Sequence, residues 1–440
     1  MNIKLVKNIK HLLSLKLPHE SGIKIKGWAI NIRKQKKNSF VNISDGSSPL
    51  SLQVVVDSEK IKNLTIGSFI NVEGKVKYEN KPSTKKDQIP HMDLRADKLR
   101  FNEEYISNQS EAFSSHSIDY ERYRSEDGLI FRHQLSSFAS MFRMRNLMMK
   151  IVRESLNEHG FLEVETPILT SVDCEETANT FDISNYKGLK MTGSAQMHLE
   201  ILCQGLGQVF TLNQTFRAEP SHTRFHLAEF RMIEAESIHL TDMDSLCDEI
   251  EALTKTIYKK LFSLSQSDLI DFSNVLKISN PDSSIDDWLR TLESMTMRRF
   301  DRIKYSDLPS RGLDSSDLMN GLSKRSEIDL VKDCPTFVTN FPTNQKPIYC
   351  KADSGNANES LSVDLLFPQI GEVFGGSVRI GPELKEDLFP DWYSKIRRMN
   401  TYSGSGGFGL GFERLLQFTF KMNNIKDTIP FPRVMGKIYL

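Results

Sequence analysis

Five short runs of β-forming residues, IKIKGWAINI, SFVNISDGSS, LSLQVVV, SFINVEGKVKY and MDLRADKLRF, follow one another between residues 21 and 103. Asp-Gly and Glu-Gly dipeptides punctuate them. Five short strands in so short a stretch, joined by basic loops, are the pattern of an OB-type barrel. The chain runs to 440 residues, about three times a typical domain, so a second and larger unit has to follow.

Charge is divided along the chain. Residues 1–100 carry 20 Lys+Arg against 9 Asp+Glu, a net of +11; of the 57 of each in the whole chain, 37 and 48 remain for the last 340 residues, a net of −11. That asymmetry points to a first domain that meets a polyanion, although a solvated basic face with no partner reads the same. Arg33-Lys34-Gln35-Lys36-Lys37 joins the first two predicted strands, and Phe40 opens the second. Lysines that track phosphates beside a ring that stacks a splayed base suit single-stranded nucleic acid; a place for Phe40 in the barrel core is the competing reading.

Ahead of the barrel, MNIKLVKNIKHLLSLKLPH holds four lysines and no acid before Glu20. Residues 1–20 read either as an organelle-targeting segment or as a basic N-terminal helix. No run of 18 apolar residues is present, so no membrane association is expected. Cysteines at 174, 203, 247, 334 and 350 include no CxxC pair, so neither a disulfide framework nor zinc is expected, and a reducing compartment fits.

Residues 104–135 are polar and rich in Ser, Glu and Arg, a hinge by composition. FASMFRMRNLMMKIVRESLNEHG then shows apolar residues at helical spacing and ends on Gly160. FLEVETPILT is a strand run broken by Pro167, VFTLNQTF and LAEFRMIEAE read as strands, 241–262 as an acidic helix, and 263–330 as a polar helical insertion. Strands with separate helices make 136–440 an α+β domain rather than a set of βαβ units.

Three stretches carry the chemistry. FRAEPSHTRFHLAEFRMIEAE (216–236) reads as strand, loop, strand, with Arg217 and Glu219 alternating on the first strand and Glu229, Phe230 and Glu234 on the return. Its loop holds His222, Arg224 and His226, cations able to close over a triphosphate while Phe230 stacks on a purine. VDLLFPQIGEVFGGSVRI (363–380) sets Asp364 and Glu372 on either side of a Pro/Gly turn, so adjacent strands can bring two hard carboxylates together as Mg²⁺ ligands. Gly375-Gly376 opens the space beside them, and Arg379 follows. GGFGLGFERLL (406–416) runs into an amphipathic helix bearing Arg414; its spacing fits neither a dinucleotide fingerprint nor a phosphate-binding P-loop.

Taken in order, FLEVETPIL, FRAE…HLAEF and GFGLGFERL resemble motifs 1, 2 and 3 of class II aminoacyl-tRNA synthetases, over about 146–170, 210–236 and 404–418. The N-terminal barrel places the resemblance in the aspartyl/asparaginyl/lysyl subgroup, over about 21–440. SAQMHLE (194–200), RFHLAEFRMIEAE and NIKDTIPFPR (424–433) look most like the asparaginyl members. The resemblance implies an all-β OB-fold anticodon-binding domain over 21–103 and a class II catalytic domain over 136–440, built on an antiparallel sheet with flanking helices. It implies a homodimer joined around the helix and strand that carry Pro167, with ATP, L-asparagine and tRNA(Asn) as partners and Mg²⁺ as cofactor.

Position by position, the resemblance puts Arg217 on the α-phosphate and the amino acid's carboxylate, Glu219 and Phe230 on adenine, Arg224 and His226 on the phosphates, and Arg414 at the γ-phosphate. Asp364 and Glu372 would hold the metal; Glu175 and Gln196 would take the α-ammonium; Arg379 would take the side-chain oxygen. Arg33, Phe40 and Gln53 would read the anticodon. Leu199 stands where aspartyl enzymes place a lysine, and Glu234 where they place an aspartate, so a substrate carboxylate would lose an attraction and meet a repulsion. Two departures are visible: Glu175-Glu176-Thr177-Ala178-Asn179 replaces the usual small-residue run, and the loop Pro220-Ser221-His222-Thr223 lacks the usual asparagine after Glu219.

The competing readings are an aspartyl enzyme, non-discriminating between the two acceptor tRNAs, a tRNA-independent asparagine synthetase, and a catalytically dead RNA-binding paralogue. The last predicts losses among Arg217, Glu219, Asp364, Glu372 and Arg414, and all five are present. The basic start and compact plan point to the mitochondrial matrix, with the cytoplasm as the alternative.

Overall fold

A computed structural model describes the chain apart from residues 1–3, 16, 79–91, 102–118, 173–179, 222, 315–317, 320, 382–388, 400, 401, 403 and 437–440. One compact unit is formed by Met1–Met144 with Leu264–Ile278, the other by Arg145–Ser263 with Ser279–Leu440.

In the first unit, β1 (Lys4–Leu5), β2 (Gly22–Arg33), β3 (Asn38–Ser44), β4 (Leu52–Asp57), β5 (Phe69–Tyr78) and β6 (Met92–Phe101) form a sheet in the order β1-β2-β3-β4-β6-β5. A further β2–β5 pairing closes β2 to β6 into a five-stranded barrel. Among the described residues, only β4 and β6 pair in parallel within that barrel. Period-two patterning builds its core: Ile23 and Ile25 on β2, Val41 and Ile43 on β3, Val54 and Val56 on β4, and Ile70 and Val72 on β5 all point inward and are buried.

The basic segment ahead of the barrel is helical over Ile9–Ser14 and is capped by Asn8, whose side chain accepts from the His11 N–H at 2.7 Å. Ile9 and Leu12 are fully buried in the barrel core. Phe40 is not a core residue. Its neighbours Ser39 and Val41 point inward, and Phe40 lies on the outer face with the Arg33 guanidinium 4.5 Å from its ring centroid. Gln53 also faces outward on β4 and donates to Asp93 Oδ1 at 2.9 Å.

The second unit contains β7 (Leu162–Glu163), β8 (Leu169–Thr170), β9 (Lys190–Met191), β10 (Gln208–Phe216), β11 (Glu229–Ser237), β12 (Asp301–Lys304), β13 (Thr336–Thr339), β14 (Ser362–Phe367), β15 (Gly371–Val378) and β16 (Gly406–Gly411). Eight form one sheet in the order β12-β13-β14-β15-β16-β11-β10-β7, and β8 pairs with β9. The ladders from β13 to β10 are antiparallel, while the outermost pairs β12/β13 and β7/β10 are parallel. The helix Gln196–Leu206 packs on β10 and β11, and Met243–Leu261 packs on β14, β15 and β16. Phe412–Thr419 continues directly from β16 and packs on β11 and β15. The α+β architecture is as expected, but the stretch 263–330 is not wholly helical. Between the helices Ile285–Met297 and Lys324–Leu330 it contributes β12 to the sheet edge. Four residues reading Asp-Arg-Ile-Lys are too few for a period-two signal, so pairing with β13 decides their conformation.

Candidate active site

Strands β11, β14, β15 and β16, the loop that follows β10 and the start of two helices converge on one cleft of about 360 Å³. Its wall includes Gln196, Leu199, Arg217, Glu219, His226, Phe230, Glu234, Asp364, Glu372, Arg379 and Arg414. Residues from five separate stretches of sequence thus meet in one place.

One half of the cleft is built by the β10–β11 connection and the β14–β15 hairpin. Arg217 and Glu219 do not alternate on a strand as expected. β10 stops at Phe216, the Arg217 N–H still bonds Ala228 O at 3.0 Å, and Pro220 has no N–H with which to continue a ladder. The Arg217 guanidinium lies 5.6 Å from the centroid of the Phe230 ring. His226 Nδ1 is 3.0 Å from Ser221 Oγ and 2.6 Å from Thr223 Oγ1. Burial, reinforced by Arg414, Lys324 and Arg217 and opposed by Glu219, holds its imidazole below the ordinary histidine range. Arg224 goes elsewhere. Its guanidinium lies 4.7 Å from the Phe225 ring centroid, and it lines a second cleft with Trp288, Arg298 and Lys421. Phe225, one residue on, is the side chain that reaches the main cleft.

Asp364 on β14 pairs across the ladder with Gly375, and Glu372 sits on β15 beside the irregularity at Leu365/Leu366. A methyl group at Gly375 would stand 3.0 Å from Glu372 Oε1 and 3.6 Å from Asp364 Oδ1, so both carboxylates converge over the same empty space. Lys346 Nζ donates to both Asp364 oxygens, at 2.7 and 2.8 Å. Burial nevertheless pushes Asp364 up to about 6, with Glu372 and Glu327 adding to the rise and Lys346 opposing it. Burial alone would raise Glu372 as well, but Arg414, Lys324, Lys346 and Arg217 outweigh it and hold that carboxyl low. Arg414 Nη1 donates to Glu372 O at 3.0 Å and Oε2 at 3.3 Å. No group of three or more His, Cys, Asp or Glu among the described residues is placed to hold a metal.

The other half is buried and already paired. Glu234 is buried beneath the start of the Gln196–Leu206 helix, where one oxygen accepts the Ala195 N–H at 2.8 Å and the Ser194 hydroxyl also donates to the carboxylate. Gln196 Nε2 donates to Glu200 Oε1 at 2.9 Å; Glu200 also accepts from the Tyr393 hydroxyl at 2.7 Å and pairs with Arg397. Arg379, one residue beyond β15, donates to Glu236 Oε2 at 2.8 Å and to Ser377 Oγ at 2.7 Å, and Nε stands 3.7 Å from Glu200. Burial would weaken its charge, and the Glu236 carboxylate reverses that and holds Arg379 firmly protonated. Gly407 makes this pair fit: a Cβ there would meet Glu236 Oε2 at 2.0 Å. Leu199 is buried on the same helix and offers only hydrocarbon.

Glu175 lies outside the described residues. Glu200, Glu236 and Lys346 are site residues that the sequence reading missed. Glu236 had a signal, since it stands two positions after Glu234 on the same strand and so shares its face. Glu200 stands one turn after Gln196. Lys346 follows the turn Thr343–Gln345 and had none.

Residues 129–435 match the family described as tRNA synthetases class II (D, K and N), and residues 23–95 match the OB-fold nucleic acid binding domain. The chain is 31% identical to the asparaginyl-tRNA synthetase of Mus musculus, covering 93% of this chain and 90% of the mouse one. It is equally identical, at 31%, to the mitochondrial asparagine–tRNA ligase of Schizosaccharomyces pombe, covering 96% of both chains. The crystal structure of asparaginyl-tRNA synthetase from Pyrococcus horikoshii complexed with asparaginyl-adenylate superposes with a TM-score of 0.79 at 25% identity, over 96% of this chain and 97% of that one. With an OB barrel before a largely antiparallel sheet in chain order and matches spanning nearly its whole length, the chain belongs to the class II aminoacyl-tRNA synthetases of the aspartyl, asparaginyl and lysyl subgroup.

Proposed function

We propose that the chain activates L-asparagine with ATP, forming asparaginyl-adenylate and pyrophosphate, and then passes the asparaginyl group to the 3′ end of tRNA(Asn). The observation that carries this reading is the charge of the buried half of the cleft. Glu236 and Glu200 pair there with Arg379 and Arg397, Glu234 is a third buried carboxylate, and Leu199 adds no cation. An aspartate side chain would add a further negative charge beside three carboxylates at a site shielded from water, whereas a carboxamide adds none. A carboxylate accepts and does not donate, so Glu234 in the cleft wall suits the carboxamide NH₂ and would repel a second carboxylate. Arg379 supplies a donor for the carboxamide oxygen, and Gln196 a partner for the α-ammonium. The asparaginyl names of the mouse, fission-yeast and Pyrococcus relatives support the same choice.

In the open half, Arg217 would neutralise the α-phosphate as the substrate carboxylate attacks phosphorus. One O–P bond forms between the carboxylate and the α-phosphorus, and the P–O bond to the pyrophosphate leaving group breaks. Phe230 and Glu219 would hold adenine, and Arg414 and His226 would face the outer phosphates. Such a displacement needs charge compensation and alignment rather than a protein nucleophile. Asp364 and Glu372 fit Mg²⁺: two hard oxygens converge over Gly375, and phosphate oxygens would complete a coordination that two carboxylates leave open. Bound there, the ion would supply Lewis-acid neutralisation of phosphate charge.

Arg33, Phe40 and Gln53 lie on the outer face of a barrel rich in lysine, and we assign them to the anticodon. A homodimer is supported by exposed Leu162, Ile168 and Leu169 around Pro167. Localisation in the mitochondrial matrix is supported by the mitochondrial names of the fission-yeast and Dictyostelium discoideum relatives. Amino-acid-dependent ATP–pyrophosphate exchange tests the whole reading. Exchange with asparagine and not with aspartate is the expected result; exchange with aspartate would sink the specificity argument.

A further inference from the structure

We propose that Lys346 guards Asp364 in the nucleotide-free enzyme, so that a divalent cation is admitted only together with the phosphates of ATP; this rests on the metal role proposed for Asp364 and Glu372. Lys346 Nζ engages both oxygens of Asp364, at 2.7 and 2.8 Å. An ammonium bridging both oxygens covers the face a hard cation would use. The second carboxylate is held as well, by Arg414 donating to Glu372 Oε2 at 3.3 Å, and the Glu372 backbone N–H brings in a third carboxylate by donating to Glu327 Oε2 at 2.8 Å. Glu327 in turn is paired with Lys324.

Counting this cluster gives three carboxylates, Asp364, Glu372 and Glu327, against four cations, Lys346, Lys324, Arg414 and Arg217. A lone divalent ion therefore meets no net attraction, and it meets an ammonium at the oxygens it needs. A triphosphate adds negative charge to the same cleft and tips that balance. Lys346 also has somewhere to go. Its Nζ lies 3.8 Å from the centroid of the buried Phe341 ring, which keeps part of its charge compensated once Asp364 is released.

Mn²⁺ binding to the full chain, read by electron paramagnetic resonance with and without the non-hydrolysable analogue AMPPCP, tests this without turnover. The wild-type protein is expected to bind Mn²⁺ at least about tenfold more tightly with the analogue than without it. Lys346→Gln is expected to bind Mn²⁺ about tenfold more tightly than wild type in the absence of nucleotide. The double variant Lys346→Gln, Asp364→Asn is expected to lose that gain. A misfolded loop would not create a new Mn²⁺ site that depends on Asp364, and the wild-type comparison stands without any variant. Tight nucleotide-independent binding by the wild type, equal to that of Lys346→Gln, overturns the guard while leaving the metal site intact. Absence of Mn²⁺ from both proteins even with AMPPCP overturns the metal role itself, and the guard with it.

Discussion

The two halves of the cleft are stabilised in opposite ways. In the amino-acid half, Glu200, Glu234, Glu236, Arg379 and Arg397 are each at most 5% exposed, and each has its partner before any substrate arrives. In the nucleotide half, Glu372 keeps 38% of its side chain open and Arg414 keeps 22%. The difference follows the ligands. A side chain of four heavy atoms has to be told from a near-isostere, which requires donors and acceptors fixed in advance at a dry site. A triphosphate carries its own charge and is held in common by many proteins, so cations near solvent are enough.

The largest test of that contrast removes a charge from the locked half. Arg379→Ala leaves Glu236, 1% exposed, without its counter-ion, a loss of about 3–5 kcal/mol for a broken buried pair. Asparagine-dependent exchange is expected to fall by about 10²–10³ or more. Retained AMPPCP affinity would show that the halves are separable, whereas equal loss of nucleotide binding would break the comparison. Arg379→Lys keeps the charge and loses the fork, so it is expected to raise KM for asparagine more than it lowers kcat.

Next in size is Arg414→Ala, expected to lower kcat for exchange by about 10²-fold, the usual worth of one donor aimed at developing charge. The KM for asparagine should move by no more than about two- to threefold, and a larger change would show that the open half also orders the closed one. Leu199→Lys sharpens the specificity side. An ammonium in the cleft wall at that position compensates an aspartate carboxylate, and the asparagine-to-aspartate ratio in exchange is expected to narrow by about tenfold. No change in the ratio would remove Leu199 from the argument. Phe40→Ala, on the barrel, should raise KM for tRNA by about tenfold, from about 1–3 kcal/mol of lost stacking, and leave exchange unchanged.

Much of this was legible in the chain, for identifiable reasons. The barrel strands alternate cleanly because one face of each is core, as with Ile23 and Ile25 or Val41 and Ile43. Asp364 and Glu372 could be placed together because a short hairpin fixes which strands pair. Loops resisted. Arg224 and Phe225 are neighbours, and only packing decides which of them turns into the cleft. Glu236 was passed over because its strand offers several carboxylates and only the tertiary approach of Arg379 distinguishes them. Lys346 reaches Asp364 across 18 positions from a turn with no periodicity of its own. The N-terminal segment left two readings open, and the burial of Ile9 and Leu12 depends on a surface that its own sequence does not contain.

The smallest expected effect probes the closed half from beneath. Cys203 lies on the Gln196–Leu206 helix that carries Gln196 and Glu200, and it is fully buried; Cys247, on Met243–Leu261, is buried to the same degree. Burial pushes each thiol up to about 12, with Glu236 adding to the rise at Cys203. At pH 8 the thiolate is then on the order of one part in 10⁴, so both should alkylate far more slowly in the native protein than after unfolding, as read by peptide mass spectrometry. The sign for stability follows. A thiol raised in the folded state contributes fully below its unfolded value near 8.5, and that contribution is lost as pH rises from there towards 12. Stability from these two groups should therefore decline through alkaline pH. If the amino-acid half is formed in advance, asparagine should leave the Cys203 rate within about twofold of its unliganded value, tracking Cys247. Marked protection of Cys203 by asparagine, with Cys247 unchanged, would mean that the half closes on its ligand rather than waiting for it.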